Sequence, residues 1–170
     1  ILAKLSGIED GSFGKIAPLP ELEQADADIE TIAINKLKPF YGLNPIEIAN
    51  RLGVEFKTSK DRLALLTKAM LGISMNQQIE EFSKSDIESK TVRLSANGNP
   101  DQAISFPAFS YTDLIHESWE DSQINELIEK KFIFYFFQYQ SEDESDENLV
   151  FQHAYFWNMD FNDRQKVKQV

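Results

Sequence analysis

Asp86-Ile87-Glu88-Ser89-Lys90-Thr91-Val92-Arg93-Leu94 is the stretch at which the hydrophobic period of the chain changes from helical spacing to that of a strand. The strand runs into Asn97-Gly98-Asn99-Pro100, a turn-rich tetrapeptide, after which residues 103–109 can return as a partner strand. Successive side chains on a strand alternate faces, so the Glu88 carboxylate and the Lys90 ammonium point the same way.

The segments before this strand carry helix signals. Residues 26–37 place Ile29, Ile32, Ala33 and Leu37 at helical spacing, and Pro39 ends the run. Asn44-Pro45 supplies an N-cap and a proline at the first helical position, opening a short helix through Leu52 that Gly53 closes. A third helix is expected from Ser59 or Lys60 to Leu71, stopping at Gly72. Its Leu65, Leu66 and Leu71 would face the core. Residues 1–24, with Gly7, Gly11, Gly14, Pro18 and Pro20, read as an irregular arm.

After the strand, residues 121–131 look helical. Phe132-Ile133-Phe134-Tyr135-Phe136-Phe137-Gln138-Tyr139 reads as a strand buried on both faces, because it is aromatic and apolar almost throughout. Residues 150–157 read as another strand, and residues 158–160 can cap an amphipathic helix that begins at Phe161 and runs to the last residue. Helices followed by a mixed sheet, with one helix between strands, define an α/β or α+β layer fold. A chain of 170 residues with 42% hydrophobic content supports one domain spanning 1–170, and a terminal helix that has not ended suggests continuation past Val170.

Composition bounds the chemistry. Without cysteine there are neither disulfides nor thiolate metal sites, and no apolar run reaches membrane-spanning length, so a cytoplasmic location is expected. A net charge of −11 argues against non-specific coating of nucleic acid. The charge is uneven, however. From Lys36 to Lys68 seven basic residues stand against three acidic ones, whereas Glu142-Asp143-Glu144-Ser145-Asp146-Glu147 reads as a solvated, mobile acidic loop. His116 and His153 lack metal-ligand spacing, and neither a serine–histidine arrangement nor a glycine-rich phosphate loop can be assembled.

An acid-x-lysine triplet on one strand face suits phosphodiester hydrolysis: oxygens hold a hard cation such as Mg²⁺, and the lysine orients or deprotonates water. Taken alone the triplet is weak, since Glu55-Phe56-Lys57 and Glu129-Lys130-Lys131 also match it. The first of these sits between two helices with Ile48, not an acid, at the upstream spacing.

Several strings in order resemble the MutH family, which includes a mismatch-repair nicking enzyme and type II restriction endonucleases that cut at GATC (the Sau-three-A type). They are Tyr41-Gly42-Leu43-Asn44-Pro45-Ile46-Glu47-Ile48-Ala49, Leu65-Leu66-Thr67-Lys68-Ala69-Met70-Leu71-Gly72, Glu81-Phe82, Glu88-Ser89-Lys90-Thr91 and Trp119-Glu120-Asp121-Ser122, followed by the strand from Phe132. The resemblance runs from about Phe40 to the C-terminus. It implies a restriction-endonuclease-like mixed β-sheet flanked by helices.

It also implies a catalytic set in which Glu88 and Lys90 match the family pattern, Glu81 stands where an aspartate is expected, and Lys68 replaces a helix glutamate. On this reading Glu81 and Glu88 would ligate Mg²⁺ only if the site were active. Lys68 would instead pair with Glu88 and stand in for the cation, leaving the site vestigial. The alternative reading of Lys68 is a surface lysine on an amphipathic helix. Lys60 falls on a family position that contacts DNA, and Lys57 and Arg62 could reach phosphates beside it; an ordinary basic loop is the plainer alternative.

The function implied is a regulatory DNA-binding domain, an allosteric effector bound to GATC duplex DNA beside a homologous catalytic domain as pseudo-dimer. Mg²⁺ would be a cofactor of the parent enzyme rather than of this domain. The alternatives are an active Mg²⁺-dependent nuclease using Glu81, Glu88 and Lys90, and an acidic protein-interaction module.

Overall fold

The computed structural model describes residues 15–17, 28–74, 77–104, 106, 112 and 116–169. A mixed sheet of three strands organises them: β3 (Ile87–Leu94), β4 (Lys131–Tyr139) and β5 (Leu149–Asn158), in the order β3-β4-β5. β3 and β4 run parallel, and β4 and β5 form an antiparallel pair. The register slips between Phe136 and Phe137, whose partners are His153 and Phe151, so Gln152 is the extra residue of a bulge. β1 (Lys15–Ala17) and β2 (Gln77–Ile79) make a separate parallel pair. Lys15–Ala17 is thus a strand within the segment read as an irregular arm; three residues are too few to show a period.

Helices α1 (Ile29–Leu37), α2 (Pro45–Leu52) and α3 (Arg62–Met70) precede the sheet, and α4 (Glu80–Lys84) leads into β3. α2 forms where its sequence dictates. The Asn44 side chain accepts from the Glu47 backbone N–H, the Glu47 carboxylate accepts from the Asn44 N–H, and Gly53 closes the helix at φ 68°. α1 is capped by Asp28 and passes at Pro39 into a short 3-10 turn, Lys38–Phe40. α3 starts later than expected, at Arg62. Its buried residues are Leu63, Leu66, Thr67 and Met70, while Leu65 is only half-buried.

The core lies between these helices and one face of the sheet. Ile133, Tyr135, Phe137 and Tyr139 of β4 meet Leu149, Phe151 and Ala154 of β5, and Leu37, Ile48, Leu66 and Leu71 close over them. Burial raises the Tyr135 phenol well above its ordinary range, while a hydrogen bond with Ser89 acts the other way. The segment after the 3-10 turn is tied to β5 by Gly42 N–H donating to the Phe151 carbonyl at 2.8 Å and Phe151 N–H donating to that of Leu43 at 2.9 Å.

β4 is not buried on both faces, contrary to the expectation from its composition. Phe134, Phe136 and Gln138 are half-buried. The reason is that aromatic rings on this face shield one another: Phe132 stacks on Phe134 at 5.8 Å, and Phe136 stacks on His153 at 4.8 Å. Trp157 and Tyr155 remain exposed beside them.

The expected return strand is not formed at Ala103 or Ile104, and most of residues 105–109 lie outside the described set. β3 pairs with β4 instead. The Asn97–Pro100 segment does turn, with Gly98 at φ 83° and a single bridge between Leu94 and Pro100. Within residues 121–131, read as one helix, α5 (Gln123–Glu129) forms; a 3-10 turn (Trp119–Asp121) precedes it and Lys131 already belongs to β4. α6 (Phe161–Lys168) begins at the expected residue, capped by Asp160, but buries no residue and so is not amphipathic in use.

Candidate functional site

Register fixes where the acid and the lysine emerge. Glu88 pairs with Phe132 and Lys90 with Phe134, so both side chains leave the sheet on its aromatic face. There Glu88 Oε1 and Lys90 Nζ are 2.6 Å apart, and the Lys90 ammonium lies 5.3 Å from the centre of the Phe106 ring. Both side chains are partly shielded, Lys90 more than Glu88. β3 therefore delivers the same-face carboxylate and ammonium that its sequence requires. Phe106 was not foreseen, since a ring that arrives from beyond the turn leaves no local signal.

Lys68 is placed elsewhere. α3 packs on the helix side of the sheet through Leu63, Leu66 and Met70, opposite the face from which Glu88 projects. No ion pair joins Lys68 to Glu88 among the described residues; Glu88 is paired with Lys90. Lys68 acts instead near Asp61: the Ser59 hydroxyl and the Asp61 backbone N–H hold that carboxyl below its ordinary range, with smaller contributions from Lys68 and Lys57. The expected stand-in for a cation at Glu88 is thus corrected: the cation there is Lys90, from two residues along the same strand.

Glu81 sits in the first turn of α4, half-buried, next to Phe82, which is anchored in the core edge-on to Phe156. Among the described residues no three carboxylate or imidazole side chains gather closely enough to hold a metal ion. A Mg²⁺ site needs near-octahedral oxygen donors. Here the carboxylate offered by β3 is already neutralised at 2.6 Å by an ammonium, and Glu81 stands on a separate helix. No set of three protein ligands is therefore assembled for Mg²⁺ among the described residues.

The basic segment before α3 is divided. Lys57 and Lys60 are exposed. Lys57 and Arg62 line one shallow crevice with Glu55, Phe56, Leu65 and Leu66. Arg62, however, is committed within the protein: its Nε and Nη2 donate to the two carboxylate oxygens of Asp146, each at 2.8 Å. This grip raises the guanidinium above its already high range. Arg62, expected among the phosphate contacts, is thus engaged by Asp146 in this structure. Asp146 was missed because the pair spans 84 residues.

The acidic loop also departs from its reading. It is exposed at its tip, but Asn148 donates to Ser141 Oγ at 2.7 Å and to the Asp143 carbonyl at 2.6 Å, and Ser145 Oγ donates to Asp143 at 3.0 Å. The turn between β4 and β5 is therefore pinned at several points. No helix among the described residues is long and apolar enough to cross a membrane.

Two comparisons bear on this arrangement. The family model described as DNA mismatch repair enzyme MutH matches residues 71–169, the part containing Glu81, Glu88, Lys90 and the whole three-stranded sheet. The type II restriction enzyme Sau3AI of Staphylococcus aureus is 27% identical over 127 residues, covering 66% of this chain. The chain spans only 26% of that enzyme's length.

Proposed function

Because this chain belongs to the MutH family, we propose that it is a DNA-binding, regulatory domain of a type II restriction endonuclease, recognising GATC duplex and catalytically degenerate itself. The carrying observation is the state of the acid-x-lysine strand. Glu88 and Lys90 are paired at 2.6 Å, and among the described residues no three carboxylate or imidazole side chains gather closely enough to hold a metal ion. MutH-family nucleases are typically metal-dependent, and with Lys68 standing where the family pattern has a helix glutamate the domain is better suited to hold DNA than to cut it.

The exposed Lys57 and Lys60 supply phosphate contacts on this reading. A homologous catalytic domain of the same protein would perform Mg²⁺-dependent cleavage, and DNA held here would act on it as an allosteric effector. The competing reading is hydrolysis by this domain through Glu81, Glu88 and Lys90. It draws on the shared strand face of the last two.

Fluorescence anisotropy with a GATC duplex and a scrambled duplex, repeated across a salt series, tests the proposal. Each phosphate contact contributes a slope of about −0.9 in log K against log salt. Two contacts predict a slope of about −1.8, with the GATC duplex bound more tightly. Absence of salt-dependent affinity would support an acidic protein-interaction module instead.

A further inference from the structure

Arg62 opens α3 and belongs to the same basic segment as Lys57 and Lys60, yet its guanidinium faces the acidic turn between β4 and β5. The Asp146 carboxylate meets it with both oxygens: Oδ2 accepts from Nε at 2.8 Å and Oδ1 from Nη2 at 2.8 Å. Both side chains are about four-fifths shielded, at 18% and 22% exposure. A planar fork matched by two oxygens is also the geometry in which a guanidinium takes a phosphate. Asp146 thus occupies the arginine in the manner that a DNA phosphate would.

The loop presenting Asp146 is braced for this role. Asn148 and Ser145 bind back to Ser141 and Asp143, holding the turn while Glu142, Asp143, Glu144 and Glu147 remain exposed around it. These carboxylates surround Asp146 and bring negative charge to the turn that meets Arg62.

We propose that the Arg62–Asp146 pair is an autoinhibitory latch: the β4–β5 acidic turn holds Arg62 away from DNA, and a backbone phosphate must displace Asp146 to recruit it. The inference rests on the DNA-binding reading given above. It deepens that reading by making phosphate competition the regulator of the basic segment. Duplex binding by the resting protein then uses fewer contacts than its basic residues could provide.

Salt-dependent binding of the GATC duplex to the full chain and its variants tests the latch. Asp146→Asn weakens the grip and frees the fork; Arg62→Lys keeps a cation but breaks the two-pronged fit without altering the acidic turn. Both are expected to steepen the slope by about 0.9, the value of one added phosphate contact. Glu144→Gln removes the same charge from the same turn without touching Arg62 and is expected to keep the wild-type slope.

Slopes for Asp146→Asn and Arg62→Lys that equal those of wild type or of Glu144→Gln would overturn the latch and leave the DNA-binding reading intact. A wild-type chain without salt-dependent binding would overturn both. Because one substitution lies on α3 and the other on the acidic turn, loss of folding in either variant leaves the other to decide.

Discussion

Replacing Phe151 by alanine is expected to lower the stability of the chain by about 3–5 kcal/mol, the cost of removing a fully buried aromatic ring. Phe151 has no exposed surface and is enclosed from two directions, by Tyr41 edge-on at 5.3 Å and by Phe137 at 4.9 Å. Collapse of the resulting cavity is opposed by the backbone. The Phe151 N–H and carbonyl are bound to Leu43 and Gly42 on one side, and the strand is laddered to β4 on the other. A drop in melting temperature of roughly 10 °C follows for a domain of this size. Phe136→Ala, on the half-buried aromatic face, should cost clearly less. Equal losses in the two variants would show that the core is not confined to the helix side of the sheet.

Reversing Lys57 and Lys60 together to glutamate is expected to weaken duplex binding by more than about tenfold and to flatten the salt slope by about 1.8, two phosphate contacts' worth. Both side chains are exposed, so the melting temperature should hardly move. This combination separates a binding surface from a structural one. Anisotropy and thermal melts on the same preparations read both quantities. Unchanged affinity would remove the basic segment from the interface and leave the domain without an assigned contact to DNA.

What could be read in the sequence was set by distance along the chain. The Asn44–Glu47 capping box, Pro45 and Gly53 act within a few residues of one another, and α2 lies where they place it. The same holds for the cap at Asp160 and for the shared strand face of Glu88 and Lys90. Burial of β4 was overread because its two faces are nearly equally apolar; composition cannot tell a strand covered by helices from one whose rings cover each other. The facing of Lys68 depended on how α3 rotates against the sheet, and a helix with apolar residues at 63, 65, 66, 70 and 71 admits more than one buried stripe. Asp146 lay beyond reach altogether, because an acidic run carries no mark of which carboxylate meets an arginine across the fold.

The most direct measurement is a denaturing-gel cleavage assay on a GATC duplex with Mg²⁺, comparing the longest natural form of the protein with its Glu88→Ala, Lys90→Ala variant. On the regulatory reading proposed above, cutting is expected to persist in the variant, because a homologous catalytic domain performs the hydrolysis. Loss of cutting by a variant that remains folded and still binds the duplex would contradict it and make Glu88 and Lys90 the working residues of a nuclease.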